Sequence, residues 1–185
     1  MNTPRGVWLD DLTRQEAKAR FDGNAVVVLP VASGTFATAP HLPLKTGATI
    51  AGALGQRLVD RLAVIMAPVI DAESFSTHET LRQILSERLD RFRSLGVRRL
   101  AILDARPSDA TPLDAAADVL MLQVCNRSDG DEYVSSCMLA LDPRSVRMSL
   151  LQAGSRAQAF AGERAMAAQV DSVVDALVAR WTDLG

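Results

Sequence analysis

Apolar positions in this chain follow two rhythms, short continuous runs and stripes spaced three or four residues apart. The runs read as strands buried on both faces, and the stripes as helices that bury one side. The first run, Ala25 to Leu29, is rich in valine, follows the turn Asp22-Gly23-Asn24 and is closed by Pro30. Further strands are predicted over Ala63 to Val69, Val97 to Leu103, Asp118 to Cys125 and Cys137 to Leu141, the last two flanking the polar turn Asn126 to Asp131. A short amphipathic helix opens at Asp11-Leu12-Thr13 and runs to about Phe21. A second covers about Ala48 to Leu62, with Ile50, Leu54, Leu58 and Leu62 on one stripe. Ser76-Thr77-His78-Glu79 has capping-box spacing and starts a helix that reaches about Leu95 and stops at Gly96. Leu81, Ile84, Leu85, Leu89 and Phe92 form its inner face. The last helix spans about Gly162 to Leu184, with Val170, Val173, Val174, Leu177 and Trp181 facing in.

Strands alternating with helices predict an α/β three-layer sandwich, a mostly parallel central sheet flanked by helices. At 185 residues, a single domain over 1–185 is expected. Right-handed crossovers gather the loops after the strands along one rim, where ligands bind in such sheets. Those loops are Val31 to Thr46, Ile70 to Thr77 and Asp104 to Pro112.

Composition narrows the partners. A formal charge of -2 supplies no basic field for a phosphate backbone, so no nucleic acid is expected. No apolar run is long enough to cross a bilayer, and Met1 to Asp10 lacks the apolar core of a secretory signal. Cys125 and Cys137 read as reduced core thiols, which agrees with a cytoplasmic address.

The rim loops hold little obvious chemistry. A zinc-type cage needs several His, Asp, Glu or Cys side chains at one point, yet the chain has only His41 and His78. His78 heads a predicted helix and reads as a solvated first-turn residue; His41 sits in the rim segment Pro40-His41-Leu42-Pro43. Ser33 and Thr35 offer hydroxyls in the first loop, without the glycine spacing or lysine of a phosphate loop. Asp104, Arg106 and Asp109 stand in the third loop, as an ion-pair cluster or as binding groups for a small polar ligand. Ser33, Thr35, His41, Asp104, Arg106 and Asp109 therefore make up the candidate pocket.

The order of several segments resembles the creatininase (creatinine amidohydrolase) family, which includes mycofactocin-type peptidases. The resemblance rests on Asp11-Leu12-Thr13, on Leu29-Pro30-Val31-Ala32-Ser33 followed by Pro40-His41-Leu42-Pro43-Leu44-Lys45-Thr46, and on Ser76-Thr77-His78-Glu79-Thr80-Leu81. It continues through Ser94-Leu95-Gly96-Val97-Arg98-Arg99-Leu100 and through Val134-Ser135-Ser136-Cys137-Met138-Leu139-Ala140-Leu141-Asp142-Pro143, ending in Val146-Arg147-Met148.

The resemblance implies the family's two divalent metals, zinc or manganese, held by Glu, His and Asp side chains. Carried over position by position, those ligands fall on Thr35, Ala37, Gly47, Arg106 and Val134. Hydrocarbon and hydroxyl groups are poor ligands, and a guanidinium places a fixed positive charge where cations would sit. No catalytic metal is therefore expected. The implied role is a non-catalytic member acting as a subunit or binding partner, in a homo-oligomer or with a related intact subunit. The segment Ser149 to Ala161, with Phe160, is a candidate contact surface. The alternative is a divergent hydrolase of C–N amide bonds in a small cyclic amide or peptide. It would use His41, Asp104 and Arg106 without metal, or a cage rebuilt from Asp104, Asp109, His41 and Glu73.

Overall fold

A computed structural model describes residues 5–32, 39–72, 77–106, 113, 116–124 and 130–184. Its strands are β1 (Val7–Trp8), β2 (Val26–Ala32), β3 (Val64–Met66), β4 (Ile70–Asp71), β5 (Arg99–Asp104) and β6 (Val119–Gln123). Its α-helices are α1 (Arg14–Asp22), α2 (Thr46–Arg61), α3 (His78–Ser94), α4 (Gly130–Leu141) and α5 (Ala159–Arg180). The sheet order is β1-β3-β2-β5-β6, with β4 also on β2, and every pairing is parallel.

Alternation along the central strands divides the core. Val26, Val28, Val64, Met66, Ala101 and Leu103 pack on one face with α2, α4 and α5. Val27, Leu29, Val31, Ile65, Leu100 and Ile102 face the other way, toward Phe21 of α1 and Leu81, Leu85, Leu89 and Phe92 of α3. The expected three-layer architecture is what these two clusters build. No described helix is long and apolar enough to cross a membrane.

The first strand extends past the point where Pro30 was expected to close it. Successive residues of a strand turn their backbone polar groups to opposite sides. Val28 C=O accepts from Ala67 N–H on the β3 side, and Val31 C=O accepts from Ala105 N–H on the β5 side. Pro30 therefore faces the β3–β4 side, where the ladder is broken between Met66 and Ile70. Its missing N–H costs no ladder bond, so a central proline is tolerated. The strand expected over Ala63 to Val69 is correspondingly shortened to β3, and pairing with β2 resumes only beyond that range, at β4.

The run Cys137 to Leu141, expected as a strand, is instead the second half of α4. A short apolar run looks alike in a strand and in a buried helix. Met, Leu and Ala favour the helix, and Tyr133, Cys137 and Met138 all turn inward at helical spacing. Cys137 is buried as expected, on a helix, and its thiol lies 3.9 Å from the Gly162 carbonyl; Cys125 lies outside the described residues. Helix ends also shift. Thr77 caps α3 by accepting from Thr80 N–H, one residue beyond the expected Ser76-to-Glu79 box. A complete capping box instead joins Thr13 and Glu16 at α1. Gly96, with φ of +90°, takes the left-handed conformation that ends α3.

Candidate functional site

The carboxyl ends of β2, β4, β5 and β6 share one rim of the sheet. Of the sequence candidates, Ser33, Thr35, Ala37, Glu73 and Asp109 lie outside the described residues. Asp104 and Arg106 form one group and His41 belongs to another.

The first group stands at the end of β5. Asp104 and Arg106 are both buried and form a bidentate pair, Arg106 Nε to Asp104 Oδ1 at 2.9 Å and Arg106 Nη2 to Oδ2 at 2.8 Å. Asp104 Oδ1 also accepts from the Arg106 backbone N–H at 3.1 Å. The planar guanidinium matches the carboxylate fork, so the two charges neutralise one another out of water. Only Ala105 stands between them in sequence, and the chain's turn beyond the strand brings both side chains together.

The second group lies against α4. His41 is buried, and its Nε2 is 2.6 Å from Ser135 Oγ, which in turn donates to the Asp131 carbonyl at 2.6 Å. His41 Nδ1 is buried without a hydrogen-bond partner among the described residues. A cavity of about 160 Å³ opens beside the pair, lined by Ala39, His41, Asp131, Glu132, Ser135 and the loop 151–155. Asp104 and Arg106 do not line it, so the three groups His41, Asp104 and Arg106 do not converge on one described cavity. His78 is the first residue of α3, half-exposed and apart from both groups.

A larger groove of about 580 Å³ runs between the end of β6, α4 and α5, with Gln123, Glu132, Tyr133, Arg156 and Gln169 among its walls. No pattern of residues along the chain points to it. Its residues come from four segments whose approach depends on helix packing, and chiefly on Gly162, where a Cβ would sit 2.1 Å from the Ser136 carbonyl oxygen. Ser135 was also missed as a site residue. A serine in an apolar run carries no signal until the fold brings an imidazole to it.

Three positions assigned to metal ligands by the resemblance are described. Gly47 lies in the first turn of α2, Val134 is half-buried in α4 against the core, and Arg106 is committed to Asp104. None suits a divalent cation: two offer no lone pair, and the third is a cation. Among the described residues no group of three His, Cys, Asp or Glu side chains stands together as a cage.

The family model described as creatinine amidohydrolase matches residues 10–178. No curated protein matches the chain significantly. Among solved structures, a creatinine amidohydrolase (creatininase) superposes with a TM-score of 0.78 at 16% identity, covering 95% of this chain and 98% of its own. A creatininase point mutant complexed with creatine gives 0.77 at 15% identity, over 95% and 99% of the two chains. A creatininase described with Mn gives 0.77 at 15% identity over the same shares. At these identities the likeness shows the fold.

Proposed function

Because the chain belongs to the creatininase family, we propose that it works within that family without catalytic metals, as a cytoplasmic subunit or binding partner, for instance of an intact paralogue. The observation that carries this reading is the buried Asp104–Arg106 pair. Where the resemblance calls for a metal-binding imidazole, the chain places its own cation and commits the adjacent carboxylate to it. A neutral pair offers a divalent ion no net attraction, and its two charge-assisted bonds would have to break before Asp104 could serve as a ligand. Gly47 and Val134 support the same reading, since neither side chain carries an atom that binds a cation.

The alternative, a divergent amide hydrolase working without metal, draws on one feature, the cavity beside His41 and Ser135. It lacks the convergence of base, acid and cation that such a reaction would need.

The test has two arms. Purified protein equilibrated with zinc or manganese and then desalted is expected to keep substoichiometric metal by elemental analysis and to leave creatinine and small cyclic amides intact. Stoichiometric metal together with hydrolysis would overturn the proposal. Light scattering after size exclusion, with co-purification from the source cell, is expected to give an oligomer or a defined complex. A strict monomer that captures no protein would count against the partner role.

A further inference from the structure

Hydrogen bonding around His41 fixes which of its nitrogens holds the proton. Both Nε2 of His41 and the carbonyl of Asp131 lie 2.6 Å from Ser135 Oγ, and the hydroxyl has only one proton to give. With the proton on Nδ1, that buried N–H would have no acceptor among the described residues. Nε2 and the Asp131 carbonyl would then compete for the single serine proton, and the loser would face an oxygen lone pair at 2.6 Å. With the proton on Nε2, imidazole donates to Ser135 and Ser135 donates to Asp131. Every proton is used, and only the Nδ1 lone pair goes unmatched. The second arrangement has one more hydrogen bond and one fewer repulsive contact.

We infer that His41, held as the Nε2–H tautomer, is a latch that pins the rim segment 39–45 to α4 and leaves Ser135 without a general base. The latch is continuous with other ties of the same segment. The His41 carbonyl accepts from Arg147 N–H at 2.8 Å, Lys45 meets Asp142 at 2.6 Å, and Leu42 and Val146 share one core cluster. Ser135 cannot pass its proton to a nitrogen that already donates to it, so the pair is a chain of donors directed into the helix backbone. Nor, among the described residues, does a third group orient the ring through Nδ1, as a serine–histidine nucleophile would require. The cavity of about 160 Å³ is bounded by this latch, and its shape depends on the latch staying closed. The inference goes beyond the metal-free reading and would stand even if metal were found bound elsewhere on the rim.

The first test needs no substitution. The chain has only two histidines, His41 and His78, so a long-range proton–nitrogen correlation spectrum of histidine-labelled protein shows two imidazoles, assigned with His78→Gln. His41 is expected to show a protonated Nε2 and a bare Nδ1; a protonated Nδ1 overturns the inference. A second test exploits the shapes of the two amides. The glutamine amide nitrogen reaches the place of Nε2, and the asparagine amide does not. Hydrogen exchange over 39–46 and 142–150 is expected to stay near wild type in His41→Gln and to accelerate about tenfold in His41→Asn, one net hydrogen bond. Equal acceleration in both variants, or none in either, overturns the latch. Finally, a fluorophosphonate is expected to leave Ser135 unmodified; labelling of Ser135 that is lost in His41→Gln overturns its inert assignment.

Discussion

Removing the guanidinium of Arg106 while keeping its stem, as in Arg106→Met, leaves Asp104 buried with, among the described residues, only the backbone N–H of residue 106 to satisfy it. Among the described residues, the lost interactions include two charge-assisted hydrogen bonds of 2.8 and 2.9 Å between side chains only 5% and 4% exposed, so solvent screening hardly discounts them. Breaking one side of such a pair costs about 3–5 kcal/mol, most of it from the charge left behind in a poorly solvated place. A domain of ordinary stability has about 5–15 kcal/mol to lose, so the variant should lie near the edge of folding at ambient temperature. Urea denaturation followed by circular dichroism measures the loss. Asp104→Asn added to Arg106→Met removes the stranded charge and keeps an acceptor for the backbone N–H, and it should recover about 2 kcal/mol of the loss. A cost below about 1 kcal/mol for Arg106→Met would mean a solvated pair of surface strength and would refute the reasoning. So would a double variant no more stable than the single one.

Other expectations follow from packing and charge. Gly162→Ala puts a Cβ against the Ser136 carbonyl, so α4 and α5 must separate, with an expected loss of about 1–3 kcal/mol by thermal or urea unfolding. Thr13→Ala breaks the capping box at α1 and should cost about 0.5–2 kcal/mol by the same measurement. The carboxyls of Asp142 and Asp183 are held below their ordinary 3.8 chiefly by hydrogen bonds from Lys45 and Arg99, and that of Glu16 below 4.5 chiefly by the Thr13 hydroxyl. Acids lowered in the folded state stabilise it above their unfolded values and lose that contribution as pH falls through the folded ones. Stability should therefore drop below about pH 4, and Lys45→Met should raise the Asp142 titration seen by NMR toward its ordinary value, while an unmoved titration would exclude the Lys45 bond as its cause.

The periodicity of apolar residues was enough to set the architecture. Two-faced burial of the valine-rich run at Val26 and the helical stripes at Leu54 and Leu89 each follow from how side chains project from a strand or a helix, a local property of the backbone. The resemblance carried by the segments from Asp11 to Met148 pointed to the rim and to the positions, Gly47 and Val134 among them, that the proposed loss of metal ligands rests on. Other outcomes needed the whole fold. Pro30 sits inside a central strand because the neighbouring ladder happens to break opposite it, which no local pattern reports. The run at Cys137 lies in a helix packed closely on α5 at Gly162, and a short apolar run carries no period of its own that tells a strand from a buried helix. His41 and Ser135, 94 residues apart in sequence, meet only when the rim segment folds over α4. Which partners a polar side chain finds is decided by long-range packing, and so the rim's chemistry, unlike its position, could be read only from the tertiary structure.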